Sequence, residues 1–377
     1  MAATVSWDAL RELAGFRATN GVVVSLYLDL DPSVTPTAGD LSTRLSSLLA
    51  EAGRHLDRSE LNHDQRKSLR ADIERIRRFV EQELVRDGAH GLAVFADDCD
   101  NFWRPLTLTE AVADTVKVNA ELHLTPLVPL VGRGEGALVA VVGRERGELY
   151  RLRGGRLERL ADLTEEQPRR HDQGGWSQAN YQRHVDHLAQ EHLQRVAAEL
   201  ERRLRGRSER VVIVTTEETR AALDALLSKG IRRAIVGWTT AEAHAGPPEL
   251  LAVATPVLES SRAHEEEQAL ERWREEAGRN GRAAAGWATT LEAASDGRVD
   301  QLLYRNGIRH PAFRCPSCGR LAVDDGTCPL DGTRMEETDE GLDLAVHQTL
   351  SNGGTVWAVT AHADLDPVEG IGALLRY

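Results

Sequence analysis

No apolar run in this 377-residue chain approaches the roughly 20 residues that a membrane-spanning helix needs. The first residues, Met1-Ala-Ala-Thr-Val-Ser-Trp-Asp8, have neither the basic start nor the apolar core of a secretory signal. Together these absences predict a cytoplasmic protein without membrane contact. Cysteine is scarce: there are four, three of them clustered, which is not the framework of a disulfide-stapled secreted domain. Lys and Arg number 46 against 59 Asp and Glu, and the net charge of −13 speaks against a broad surface that coats nucleic acid. A locally basic tip on an acidic body remains compatible with it. Common catalytic patterns are also missing. Gly132-Arg-Gly-Glu-Gly136 lacks the lysine and the Ser/Thr of a phosphate-binding loop. No serine has the strand-turn-helix setting of a nucleophile elbow. His171, His184, His187 and His192 have no metalloprotease spacing, and the last three are expected on a helix surface.

The hydrophobic fraction of 41% and charged fraction of 28% are those of an ordinary globular chain, and the length suits two or three domains. The stretch from Gly21 to Leu30 reads as a strand. Leu41, Leu45, Leu48, Leu49 and then Leu69, Ile73, Ile76, Val80, Leu84 predict two amphipathic helices joined near Asn62. Short strands follow over 91–96 and 102–106. A second unit opens with three strand candidates, 136–143, 147–153 and 156–160, punctuated by Arg-Gly and Gly-Gly turns. After a polar stretch, Val185, Leu188, His192, Val196, Leu200 and Leu204 keep a helical stripe. Strand 210–216, a helix over 217–229 and strand 231–236 then make a parallel βαβ unit. A meander followed by βαβ suggests an RNase H-like sheet. A charged helix from about Arg262 to Arg279 leads to a third unit of helix, Asp-Gly turn and buried strand over 281–304.

Within that third unit, Cys315-Pro-Ser-Cys318 is followed by Cys328-Pro-Leu-Asp331, each pair with two residues between and a glycine just after. Turns of this shape let two side chains converge on one ion. Soft thiolates favour Zn²⁺, and a carboxylate is an acceptable fourth ligand. Cys315, Cys318, Cys328 and Asp331 are therefore the expected ligands of a structural zinc ribbon at 313–334, with no position left open for water. The alternative is a degenerate ribbon that holds no metal. Cys99 stands apart in sequence and reads as a plain thiol.

The polar stretch is the most informative part of the chain. From Thr164 to Trp176 it contains no aliphatic residue, a length that in a compact domain is usually functional or disordered. Gly174-Gly175 allow the backbone to press against a ligand where a Cβ would clash. Arg169, Arg170 and His171 beside them suit a phosphate backbone.

Pro168-Arg-Arg-His-Asp-Gln-Gly-Gly-Trp-Ser177 resembles, without a gap, the Pro-Lys-Lys-His-Gly-Arg-Gly-Gly-Gln-Ser loop of the archaeo-eukaryotic peptide chain release factors and their Pelota relatives. The ending Gly370-Ile-Gly-Ala-Leu-Leu-Arg-Tyr377 is similar to the last residues of the same family. The resemblance implies an α/β protein of three domains: an N-terminal α/β domain over 1–125, an RNase H-like middle domain carrying the Gly-Gly loop over 126–260, and an L7Ae-like C-terminal domain with an inserted zinc ribbon over 261–377. Two departures matter. Trp176 stands where the family has its catalytic glutamine, with Gln178 two places later. No Asn-Ile-Lys-Ser-like motif is present, so stop-codon reading is not implied.

What the family implies is a translation factor that inserts the loop into the ribosomal peptidyl transferase centre, its partners being rRNA, peptidyl-tRNA and a delivering translational GTPase, with a monomer off the ribosome. Residue by residue, Gly174 and Gly175 keep their backbone roles and Gln178 is the candidate replacement for the glutamine. Arg169, Arg170, His171, Ser177 and Arg183 face RNA, and Trp176 stacks on a base. Two readings stay open. One is a peptidyl-tRNA hydrolase acting in release, rescue or quality control. The other is a non-catalytic A-site factor of the Pelota or hibernation type, which lacks the glutamine.

Overall fold

The computed structural model of the chain describes residues 5–377 except 58–60, 87, 133–135, 165–176, 206–208 and 361, with the backbone alone for 177–182. It is a mixed α/β structure with four sheets among the described residues. Contacts divide it into two compact units, Met1–Arg133 with Glu266–Tyr377, and Gly134–Glu265.

Helix α1 (Trp7–Ala14) starts at Ser6, whose side chain accepts from the Ala9 N–H, and leads to β1 (Val23–Asp29). Helices α2 (Ala38–Gly53) and α3 (His63–Arg78) are the two amphipathic helices that the leucine spacing predicts. Each opens with a capping box, Thr37 with Asp40 and Asn62 with Gln65. Strands β2 (Gly91–Asp97), β3 (Phe102–Leu108) and β4 (Thr115–Asn119) complete an antiparallel sheet ordered β3-β2-β1-β4. Successive side chains on a strand face opposite ways. Val24, Leu26 and Leu28 therefore join Leu45, Leu49 and Ile76 in one core, while Val23 and Tyr27 belong to another that includes Leu302, Leu342 and Ala345. Antiparallel sheets commonly leave one face to water. Here both faces are covered, which explains why β1 and β2 are nearly continuous apolar runs. Neither α1 nor β4 is expected from the sequence, because each is too short to carry a periodic signal.

Asp72 of α3 and Asp97 of β2 are both fully buried. The Asp98 N–H donates to Asp72 Oδ2 at 3.2 Å and the Cys99 N–H to Asp97 Oδ1 at 3.0 Å. Asp72 Oδ1 and Asp97 Oδ2 have no hydrogen-bond partner among the described residues. Burial pushes the two carboxyls up to about 7 and about 6, with mutual repulsion adding at Asp72. In the unfolded chain both ionise near about pH 4. The unfolded state thus loses these protons first, and the contribution of the pair to stability is full below about pH 4 and falls as pH rises through about 6 and about 7. Asp72→Asn removes one buried charge. It is expected to flatten this slope and raise Tm at pH 8 by a few degrees, since the buried side chain no longer has to ionise above about pH 7. Thermal melts of both proteins from pH 5 to pH 8 check it; parallel curves would count against the assignment.

The second unit begins with β5 (Ala137–Val142), β6 (Gly147–Arg153) and β7 (Arg156–Asp162), close to the three strands expected. Gly154 and Gly155 turn β6 into β7 with φ of 57° and 70°, the backbone of a tight hairpin. Then come α4 (Ser177–Leu204), β8 (Arg210–Thr215), α5 (Glu217–Leu226), α6 (Lys229–Ala234) and β9 (Ile235–Thr239). The sheet runs β7-β6-β5-β8-β9, with β8 parallel to both neighbours. This is the antiparallel meander and parallel βαβ pair of the RNase H-like reading. One boundary differs. Ile231 lies in α6, not in a strand, because Ser228 caps that turn by accepting from the Ile231 N–H.

Helix α7 (Pro247–Gly278) begins far before Arg262. Its two leading prolines look like breakers, but proline is well placed in a first helical turn, where its missing N–H has no partner to lose. The Glu249 side chain accepts from the Gly246 N–H at 3.0 Å just ahead of it. Leu250 and Ala254 are buried in the second unit, and Ala269, Leu270 and Trp273 in the first.

The remainder of the first unit contains β10 (Ala283–Ala285), α8 (Trp287–Ser295), β11 (Val299–Arg305), β12 (Ala312–Arg314), β13 (Leu321–Ala322), β14 (Glu336–Thr338), α9 (Gly341–Ser351), β15 (Thr355–Val359) and β16 (Ile371–Leu375). Its larger sheet is ordered β10-β16-β11-β15, so the C-terminal strand lies inside the sheet. A Cβ on Gly372 of β16 would fall 2.6 Å from Trp273 Nε1. That nitrogen donates to the Ala284 carbonyl at 2.9 Å. The Gly-Ile-Gly ending is thus explained by packing: glycine is needed where the strand passes under an indole. Among the described residues no helix is long and apolar enough to cross a membrane.

Candidate functional site

Strands β13-β12-β14 form a three-stranded sheet of two to three residues each, and the four predicted ligands lie in the turns around it. The two turns are built alike. Gly319 and Gly332 donate N–H bonds of 2.9 Å to the carbonyls of Cys315 and Cys328. Cys315 and Cys328 donate theirs to the carbonyls of Arg320 and Thr333 at 2.9 and 2.8 Å. Both glycines have positive φ, 78° and 72°, the conformation in which a side chain is strained. The result brings Cys315, Cys318, Cys328 and Asp331 together, with one ligand atom from each within 4.8 Å of all the others. Cys318 Sγ is 3.5 Å from Cys328 Sγ, and Cys315 Sγ is 3.5 Å from Asp331 Oδ2.

These spacings can be tested against an ion. A tetrahedral zinc with bonds of about 2.3 Å to sulfur and about 2.0 Å to oxygen has S···S edges of roughly 3.8 Å and S···O edges of roughly 3.5 Å. The observed separations fit. Donor chemistry agrees at Asp331 and Cys315; at Cys318 the Arg320 N–H favours the thiolate, but burial and the neighbouring thiols outweigh it and push the thiol up to about 11. The Asp331 carboxyl is held well below the usual carboxylate range, chiefly by the Thr333 N–H. At Cys315 burial works against ionisation, but N–H groups of Cys318 and Ser317 outweigh it and hold the thiol low. A Cys3Asp cluster able to bind a metal is therefore present.

The polar loop is less completely described. Arg169, Arg170, His171, Gly174, Gly175 and Trp176 lie outside the described residues. Ser177 and Gln178 are the first two residues of α4, and Arg183 is exposed further along it. What the structure does give is the root. After β7, the Leu163 N–H donates to the Gly147 carbonyl and the Gly147 N–H to Thr164 Oγ1 at 3.4 Å. Thr164 holds the Asp162 carboxyl below its usual range through its hydroxyl and its N–H. Arg159 contacts Asp162 at 2.9 Å and Glu148 at 3.6 Å, and Arg146 contacts Glu148 and the carbonyls of Ala243 and Ala245. An ion-paired collar thus fixes where the loop departs.

His192 of α4 lies against this root and corrects an expectation. It is 1% exposed, not on the helix surface, and neither ring nitrogen has a hydrogen-bond partner among the described residues. A Cβ on Gly147 would fall 2.8 Å from its Cε1. The signal was present in the sequence, since His192 falls on the apolar stripe with Val196 and Leu200. Its residue type argued for the surface, and the stripe was the better guide. His184 and His187 are exposed, as expected.

Residues 123–262 match the profile of the bacterial archaeo-eukaryotic release factor family 10. Over 98% of its length the chain is 23% identical to peptide chain release factor subunit 1 of Archaeoglobus fulgidus, covering 96% of that protein. It is 22% identical to the same subunit of Thermoplasma acidophilum, over 98% of this chain and 94% of that one. Among solved structures, Archaeoglobus fulgidus Pelota matches over 100% of this chain and 94% of its own, at 12% identity and a TM-score of 0.36. The family profile spans the loop and its root, and the full-length release-factor relatives are similar to this chain nearly from end to end: residues 123–262 match the bacterial archaeo-eukaryotic release factor family, and the chain as a whole resembles the archaeo-eukaryotic release factors.

Proposed function

We propose that this protein is a cytoplasmic, ribosome-binding translation factor that places the Gly174-Gly175 loop in the peptidyl transferase centre and promotes hydrolysis of the peptidyl-tRNA ester. The observation that carries this reading is the position of the loop motif. It connects β7 to α4 within the segment that matches the release-factor profile, above an ion-paired root. Arg169, Arg170 and His171 contact RNA phosphates, with Ser177 and Arg183 adding contacts from α4. Gly174 and Gly175 let the main chain approach the ester, and Gln178 orients water. Such catalysis depends on placement and on dipoles aimed at developing charge, so it needs no strong acid or base at the tip. Zn²⁺ held by Cys315, Cys318, Cys328 and Asp331 supplies structure, not chemistry, because the four ligands close its coordination. The division at 1–125, 126–260 and 261–377, a GTPase that delivers the factor and a monomeric state off the ribosome belong to the same reading.

Trp176 favours a second reading, a factor that occupies the A site without hydrolysis. Its indole N–H only donates, so it cannot accept a water proton as a glutamine carbonyl does. Stacking on an rRNA base is worth about 1–3 kcal/mol and would anchor such an occupant. Release of labelled peptide from purified ribosome–peptidyl-tRNA complexes separates the two, with co-sedimentation read from the same tubes. Hydrolysis predicts release that Gln178→Ala lowers while binding is kept. Binding with no release by the unmodified protein would establish occupancy alone, and release unchanged in Gln178→Ala would remove that residue from the mechanism.

A further inference from the structure

The ribbon has almost no core of its own. Cys315, Cys328 and Met335 form its one small cluster, two of these three being metal ligands, while Ala312 of β12 and Leu321 of β13 are buried in the larger core of the unit. Strands of two to three residues hold few ladder hydrogen bonds, and sheets so small are marginal without other support. Metal would therefore hold the Cys315 end of β12, next to Arg314, while Ala312 anchors its other end in the larger core, a conclusion that rests on the zinc reading above.

Arg314 is the last residue of β12 and immediately precedes Cys315. Its guanidinium reaches back to the N-terminal part of the same unit, where it grips both oxygens of Glu121, Nη1 lying 2.9 Å from Oε2. Glu121 follows β4 and its side chain is only 9% exposed. Arg17 gives it a second contact at 3.2 Å, but from a side chain that is 56% exposed. Burial alone would raise the Glu121 carboxyl, yet Arg314, together with Arg17 and His347, outweighs it and holds the group below its usual value. A second tie runs from β4 to the residue that follows the ribbon. Glu340 accepts from Lys117 Nζ at 2.8 Å and from Asn119 Nδ2.

Removing one partner of a buried, hydrogen-bonded pair is strongly destabilising, because the other charge stays behind uncompensated. Melting the ribbon withdraws Arg314 and leaves Glu121 in that position. We infer that metal occupancy of the Cys315–Asp331 cluster is thermodynamically linked to the order of the β4 segment, residues 115–124, through the Arg314–Glu121 pair. The linkage is reciprocal, as any coupling between two equilibria must be. Loss of metal loosens the segment, and loss of the pair weakens metal binding by the same factor.

Hydrogen exchange of the full-length protein tests this, with zinc content measured on each sample. In zinc-loaded wild type, peptides from 115–124 should be protected. Chelation should speed their exchange about 5- to 150-fold, the usual range of a coupling between sites, while peptides from the 134–265 unit stay unchanged. Arg314→Met should keep its zinc yet show the fast exchange already, with no further change on chelation. Glu121→Leu removes the buried charge. It should abolish the chelation effect on 115–124 and weaken zinc affinity, by chelator competition, to the extent set by the wild-type acceleration. Zinc-loaded wild type whose chelation response is confined to 312–338 would overturn the linkage alone. Protein that binds no zinc would overturn the metal reading, and the linkage with it.

Discussion

Cys328→Ser is expected to take the protein from one zinc per chain to none and to unfold the ribbon. Cys328 is 2% exposed, and its sulfur lies 3.5 Å from that of Cys318. A serine hydroxyl is a poor ligand for a borderline-soft ion, and three remaining donors leave the tetrahedron open. Binding to structural zinc sites of peptides is worth about 10–16 kcal/mol, and where no preformed site exists in the unfolded chain this is folding free energy. The consequence should be large and local. Metal analysis of the purified variant should give no zinc, and limited proteolysis should cut within 312–338. The wild type should carry one zinc and resist cleavage there. Asp331→Asn is the graded case: it keeps three thiolates and should retain zinc with weakened affinity. Wild-type protein purified with far less than one zinc per chain would show the ribbon to be a degenerate one that folds without metal.

Gly175→Ala is expected to lower peptide release by about 10²-fold while ribosome binding is retained, because misplacing a reacting group by about 1 Å is enough for such a loss. The reasoning starts from the motif Gly174-Gly175 and its basic neighbours. If the main chain at the tip must approach the ester, a methyl group there either clashes with RNA or excludes a positive φ. In the proposed function, binding is distributed over Arg169, Arg170, His171 and Arg183 and does not depend on that Cβ. Release rates and co-sedimentation of wild type and variant check both halves of the statement. Equal release by the two proteins would mean that the main chain at residue 175 does not approach the reacting centre.

Leu41 through Leu84 fixed two helices and the break at Asn62, because helical period and a capping side chain are local properties. Residues 315–331 identified the cluster that the fold brings together, because a two-residue spacing with a following glycine prescribes its own turn. The loop was marked by its polar composition and by its resemblance to the release-factor motif. His192 was misjudged because residue type was weighed above its place on the stripe. Ile231 was misjudged because its β-branched surroundings suit a strand as well as the helical turn that Ser228 caps. Pro247 was overlooked as a helix start because proline signals both an ending and a first turn.

By itself the sequence determined the α/β class, most of the elements, the cysteine–aspartate cluster and the loop motif, since each rests on residues close together along the chain. Tertiary structure alone decided that Glu121 meets Arg314, that β16 lies inside its sheet beneath Trp273, and that both faces of β1 are buried. It also decided that Asp72 and Asp97 lie buried without full hydrogen bonding. Those facts depend on which distant segments share a core. Packing of whole elements sets that, and no local pattern of residues encodes it.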